Sequence, residues 1–220
     1  MTVPVLTIDG PSGAGKGAVS RAVAKRLGWH YLDSGSIYRA LAIEVARQGA
    51  DLQDIGRICE IGRKMQLEFT LGDELEVKLN GENIGALLGT ETTGHAASVI
   101  AAYPEVRQVL LKKQIDFQQL PGLVADGRDM GSVVFPDAAF KVYLTADAER
   151  RAFRRYKQLI EKGIDANLIQ ITKELEARDQ RDSGRATAPL TIPRDAYFLD
   201  SSDMTIRQVI DAVINLVQQG

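Results

Sequence analysis

Residues 8–20 read IDGPSGAGKGAVS, and within them Gly10, Gly15 and Lys16 keep the spacing of the phosphate-binding loop G-x-x-x-x-G-K-[ST]. Glycines let consecutive backbone N–H groups turn toward one point. The helix that follows adds a positive dipole end, and a lysine there reaches the outer oxygens of a polyphosphate. Gly17 stands where a Ser or Thr hydroxyl would hold Mg²⁺. A metal at this loop must therefore rest on phosphate oxygens, water and groups from elsewhere, with Ser12 as the nearest hydroxyl.

Other residues could grip or read a second anion. In LDSGSIYRA, Asp33 and Ser34 stand at a helix start, where either can be a simple N-cap, and Tyr38 and Arg39 lie one turn on. In GLVADGRDMGS an apolar run ends at Asp126, and Arg128 and Asp129 follow between glycines, a place where open α/β sheets bind ligands. In EARDQRDSGRATAPL, a continuous helix puts Arg178, Asp182 and Arg185 on one stripe with Arg181 beside it. A salt-bridged surface would explain such a stripe, but its excess of guanidinium groups also suits a polyphosphate. AERRAFRRYKQ scatters Arg150, Arg151, Arg154 and Arg155 around a helix, and Arg154 and Arg155 are the candidates for contact with a donor nucleotide. His30 and His95 lack ligand partners in sequence and read as structural.

Short apolar runs alternating with helical periods must position these groups, and that rhythm predicts parallel strands with crossover helices. PVLTID, WHYLD, GLVAD, AFKVYL and AYFLD are the predicted strands. The first helix turns Val19, Ala22, Val23 and Leu27 inward, and the last turns Ile206, Val209, Ile210, Val213, Ile214 and Val217 inward. Residues 65–102 break the rhythm: LEVKLNGENI alternates strictly, and Asn80-Gly81 is a hairpin signal, so an antiparallel insert is expected there. The fold class is α/β: a P-loop NTPase-type parallel five-stranded sheet flanked by helices, with a small antiparallel β insert and a short lid over about residues 150–185. All of it is expected to be one domain spanning residues 1–220.

Composition limits the function classes. A chain of 220 residues with 45% hydrophobic and 25% charged residues can bury a large core. A net charge of −2 argues against non-specific nucleic-acid binding. Cys59 is the only cysteine, which excludes internal disulfides and multi-cysteine metal sites. With neither a membrane-length apolar run nor a signal-peptide pattern in MTVPVLTIDG, the expected compartment is the cytoplasm and the expected state a monomer.

A G-K-G loop is similar to that of nucleoside monophosphate kinases. TIDGPSGAGKG, LDSGSIYR, AAYPEVR, LPGLVADGRDMGSVVFPDA and RDQRDSGRATAPL, in this order, resemble the bacterial cytidylate kinase family from end to end. That resemblance implies phosphoryl transfer from ATP, with Mg²⁺, to CMP or dCMP. It implies that Gly10, Pro11, Ser12, Gly13, Ala14, Gly15, Lys16, Gly17 and Ala18 bind ATP. It further implies that Ser34, Ser98, Arg107 and Asp129 surround the cytosine, with Tyr38 nearby. Arg39, Arg128 and Arg185 would hold the acceptor phosphate, and Arg178 with Asp182 would lie near the ribose. Read from the residues alone, Arg107 looks exposed and Ser98 unremarkable. The family often carries an arginine where this chain has Leu88 and Gly89.

Catalysis of such a transfer needs alignment and charge stabilisation rather than a covalent intermediate. Lys16, Arg128, Arg154, Arg155 and Arg185 are the candidates to supply it. The competing readings are a kinase for UMP, AMP or shikimate, and a non-enzymatic nucleotide switch. The missing loop hydroxyl and the absence of an N-K-x-D guanine motif weigh against the switch.

Overall fold

The computed structural model describes residues 3–72, 75–161 and 163–219, so the predicted insert and lid each contain residues outside the described ones (73, 74 and 162), as does the start of the chain at residues 1 and 2. Strand β1 (Val5–Asp9) is buried along its whole length and leads through the glycine loop into α1 (Lys16–Leu27). Gly15 at φ 92 and Gly28 at φ 67 bracket that helix, both in the left-handed region that glycine adopts without a Cβ clash. Strand β2 (His30–Asp33) ends in Asp33, whose carboxylate accepts the Ser36 N–H at 3.1 Å and caps α2 (Ser34–Arg47). Helix α3 (Ile55–Lys64) follows and leads into the insert.

The insert is antiparallel as its alternation predicts: β3 (Leu67–Leu71), β4 (Leu75–Leu79) and β5 (Glu82–Asn83) pair in that order. Val77 and Leu79 face the core, and Asn80 (φ 51) with Gly81 (φ 85) makes the tight turn. Helices α4 (Gly85–Leu88), α5 (Glu91–Ile100) and α6 (Pro104–Ile115) return the chain to the main sheet, with Pro104 opening α6 where a missing N–H is harmless. Then come β6 (Leu123–Gly127), a single π-helical turn (Met130–Val134), β7 (Phe140–Thr145), α7 (Ala148–Glu161), α8 (Leu168–Ser183), β8 (Tyr197–Asp200) and α9 (Ile206–Gln219).

The main sheet runs β2-β6-β1-β7-β8, every neighbouring pair parallel. Crossover helices cover both faces. Leu6, Ile8, Val124 and Val142 pack with α1 and α9 on one side, while Leu32, Leu123 and Ala125 pack with α2, α3, α5 and α6 on the other. Because all strands point one way, the loops after β1, β2 and β6 emerge together at one edge, which gathers the candidate residues.

Three local expectations differ from the structure. The buried face of α1 includes Ser20 and Ala24 while Ala22 is only half-buried, because the helix must also turn Lys16 inward. Ile206, at the first turn of α9, is exposed rather than inward. Helix α8 stops at Ser183, so Arg185 lies beyond it and not on a continuous stripe.

Candidate active site

The glycine loop leaves β1 so tightly that a Cβ on Gly10 (φ 151) would lie 1.9 Å from the Leu144 carbonyl oxygen. Lys16 is buried and its Nζ donates to the Pro11 carbonyl at 2.9 Å. Burial pulls its ammonium well below the ordinary lysine range, and the Arg128 charge pulls the same way. A cavity of about 690 Å³ opens over the loop, lined by Ser12 through Ala18 and by Arg154 and Arg155 from α7. Gly10 and Pro11 do not line it: the first packs against β7 and the second receives Lys16.

A side chain at position 17 would point into a polar cluster. A Cβ there would sit 3.3 Å from Arg21 Nη1 and 3.7 Å from both Asp126 Oδ2 and the Tyr31 hydroxyl. Tyr31 donates to Asp126 at 2.6 Å. Burial, reinforced by the nearby Asp33 charge, pushes the Asp126 carboxyl far above the usual carboxylate range. The two oxygens nearest the missing loop hydroxyl are thus the Tyr31 hydroxyl and a buried carboxylate from the end of β6.

The turn after β6 is held from below by Asp9, whose two carboxylate oxygens accept the N–H groups of Met130 at 2.8 Å and Gly131 at 2.7 Å. Burial pushes the Asp9 carboxyl up to about 6, against the pull of those two bonds. Arg128 leaves this turn to bridge three elements: its Nε donates to Asp182 at 2.8 Å and its Nη2 to Ser12 Oγ at 2.7 Å. Arg185 also pairs with Asp182. Burial alone would raise the Asp182 carboxyl, but Arg128, Arg185 and Arg178 together hold it below its usual value.

A second cavity, of about 840 Å³, adjoins the first and shares Gly17, Arg39, Asp126, Arg128, Arg155 and Arg178 with it. Ser34, Tyr38, Arg39, Ser98, Arg107, Arg128, Asp129, Arg178, Asp182 and Arg185 all line it. Arg107 corrects the expectation of exposure. The break at Pro104 turns the face of α6 carrying Val106, Arg107, Leu110 and Gln114 inward, where Arg107 pairs with Asp129 and lies 5.5 Å from the Tyr38 ring centroid. Arg39 donates to the Leu88 carbonyl, so the insert touches the cavity through its backbone at the position where it carries no arginine. Ser98 Oγ, Arg178 Nε and Arg185 Nε are buried and have no hydrogen-bond partner among the described residues. Burial and the Arg128 charge bring Arg178 down to about 10. A phosphate or sugar hydroxyl is the chemistry that would satisfy such groups.

Sequence reasoning singled out Arg154 and Arg155 but passed over Arg151. Arg154 donates to the Ser201 carbonyl at 2.6 Å, and Arg155 pairs with Glu91 at 2.7 Å across to α5. Arg151 is buried instead: it donates to the Ser12 carbonyl at 2.9 Å and pairs with Asp179 of α8, whose other oxygen accepts the Ser12 N–H at 3.0 Å. The signal was its place beside Ala152, the other buried residue of α7. His30 Nε2 donates to the Leu120 carbonyl and His95 contacts Arg181, and no cluster of three or more His, Cys, Asp or Glu suited to a metal occurs among the described residues.

A phosphate loop at the carboxyl edge of a parallel sheet, opening onto an arginine-lined second cavity, defines a small-molecule kinase. The sequence pattern of the cytidylate kinase family matches residues 6–219, and the chain belongs to that family. It is 52% identical over 217 residues to a cytidylate kinase of Methylococcus capsulatus, covering 99% of this chain and 98% of that protein. To a cytidylate kinase of Aeromonas salmonicida it is 48% identical, covering 98% and 94%. Among solved structures, a shikimate kinase from Acinetobacter baumannii overlaps it with a TM-score of 0.48 at 17% identity, covering 99% of this chain and 94% of that one.

Proposed function

We propose that the protein transfers the γ-phosphoryl group of ATP to CMP or dCMP, yielding ADP and CDP or dCDP, as a cytoplasmic monomer in pyrimidine nucleotide metabolism. The observation that carries this reading is the junction of the two cavities at Arg39, Asp126, Arg128 and Arg178, with the glycine loop on one side and the Arg107–Asp129 pair on the other. ATP would lie along Ser12 to Ala18 with its outer phosphates at Lys16, and Arg154 and Arg155 would serve its triphosphate. The acceptor phosphate would meet Arg39, Arg128 and Arg185, its ribose Arg178 and Asp182, and its base Ser34, Ser98, Arg107 and Asp129, with Tyr38 beneath.

In a loose, in-line transfer the charge spreads over the γ-phosphoryl oxygens, and arginines preorganised around that point stabilise it without reorganising. The acceptor phosphate is already ionised, so no general base is needed. Helices α7 and α8 form a lid whose closure excludes water and so protects ATP from hydrolysis. The residues present fit Mg²⁺ carried on the phosphates: Asp126 is the carboxylate facing position 17, and Ser12 is the poorer candidate because its hydroxyl already accepts from the Arg128 guanidinium. Bound there, the ion would supply positive charge to the phosphates.

The test is ADP production with CMP, dCMP, UMP and AMP at equal concentration. CMP or dCMP should be used best; faster turnover of UMP or AMP overturns the assignment.

A further inference from the structure

Gln114 ends the packed face of α6, 1% exposed and one turn beyond Leu110. A buried amide is costly unless its hydrogen bonds are made, so an apolar residue would be the easier choice for stability. Its bonds are made in a directional way. The amide nitrogen donates to the Leu110 carbonyl at 3.4 Å within its own helix, and the oxygen accepts the Ser34 hydroxyl proton at 2.7 Å. Oε1 can only accept. The single proton of Ser34 is therefore committed to Gln114, and what Ser34 Oγ turns toward the cavity is lone-pair density.

Ser34 is 4% exposed and lines the same cavity as Asp129, another group that only accepts when ionised. Two acceptors in that wall match a donor with two hydrogens, the exocyclic amine of an aminopyrimidine. The 4-oxo group of uracil would instead meet two acceptors and lose a hydrogen bond. We propose that Gln114 is a positioning residue that fixes the polarity of the Ser34 hydroxyl and so sets discrimination between amino- and oxo-pyrimidine monophosphates. The step rests on the proposed placement of the base beside Ser34.

Gln114→Met keeps the length and removes the acceptor, which frees the Ser34 proton to point into the cavity. The readout is the ratio of kcat/KM for CMP to kcat/KM for UMP, with thermal unfolding as the check on folding and Gln114→Leu as the second variant should the methionine not fold. The ratio should fall about tenfold, the equivalent of one hydrogen bond, with KM for ATP unmoved. Ser34→Ala should also lower the ratio, and adding Gln114→Met to Ser34→Ala should do nothing further. An unchanged ratio in Gln114→Met beside a lowered one in Ser34→Ala overturns the role of Gln114 alone. Additive losses in the double variant overturn its action through Ser34. No change in either single variant overturns the placement of the base itself.

Discussion

Around the glycine loop the polar groups close on one another: Lys16 donates to Pro11, the Ser12 N–H goes to Asp179, and its carbonyl receives Arg151. Across Arg128 the acceptor cavity keeps Ser98 Oγ, Arg178 Nε and Arg185 Nε buried without a partner among the described residues. In the proposed placement the triphosphate meets the backbone of the glycine loop, and side chains of α7, α8 and α9 close the rest of the donor cavity. The acceptor side is built of side chains from α2, α5, α6, the turn after β6 and the chain around α8, each placed by a different part of the fold. In the proposed placement specificity falls to the acceptor side, and the chemistry to the boundary. Substitutions should separate accordingly.

The largest effect is expected at Lys16, the charged side chain of the donor loop. Lys16→Ala should lower kcat on the order of 10³-fold, the scale of a cation stabilising a transferring phosphoryl group, as measured by CMP-dependent ADP formation. Full activity in that variant would remove the loop from the reaction. Next comes Asp182→Asn, which leaves Arg128 and Arg185 with a neutral partner where both had a carboxylate. A loss of about 2–4 kcal/mol is expected in kcat/KM for CMP, with ATP binding by calorimetry changed little. If ATP affinity falls by as much, the two sides are not separable as argued.

Asp179 tests the comparison from the other direction. It stands three residues before Asp182 on the same helix, yet it serves Ser12 and Arg151 on the donor side. Asp179→Ala should lower kcat/KM for ATP by roughly tenfold to a hundredfold, the worth of a charge-assisted bond to a buried N–H, while KM for CMP at saturating ATP stays within about threefold. In a cycle with Arg151→Ala the two losses should be less than additive, because each removes the same clamp. Equal damage to both substrates would mean that α8 acts only as general support.

Much of this was legible in the sequence, and the limits have physical causes. The β1–loop–α1 unit, the parallel strands and the Asn80-Gly81 hairpin follow from local patterns, and the structure carries them where the patterns put them. Arg107 did not read as buried, because its burial depends on how α6 turns after Pro104 and on a partner, Asp129, 22 residues further on. Arg151 and Asp179 are 28 residues apart and meet only because α7 and α8 pack side by side, so neither announces the other in the chain. Gly17 announced a missing oxygen, but that Asp126 faces the place could be known only once β6 lay beside β1. Local propensity is visible in sequence; pairings between buried charges are tertiary facts.

The smallest effect is expected where the proposed lid meets the insert. Arg155 on α7 and Glu91 at the start of α5 form an ion pair at 2.7 Å, with side-chain exposures of 26% and 68%. Such a pair is worth less than about 1 kcal/mol and is screened by salt. Glu91→Gln should therefore change kcat by less than about threefold at physiological ionic strength, with a larger difference from wild type when salt is lowered. A lid of the proposed kind, opening in each turnover, would have to release its contacts quickly, and a weak, wet ion pair between α7 and the insert meets that need where a buried one would hold the product in. A large, salt-insensitive loss in Glu91→Gln would instead place this contact with the buried charges around Asp182 and move the boundary between the two sides outward to the lid.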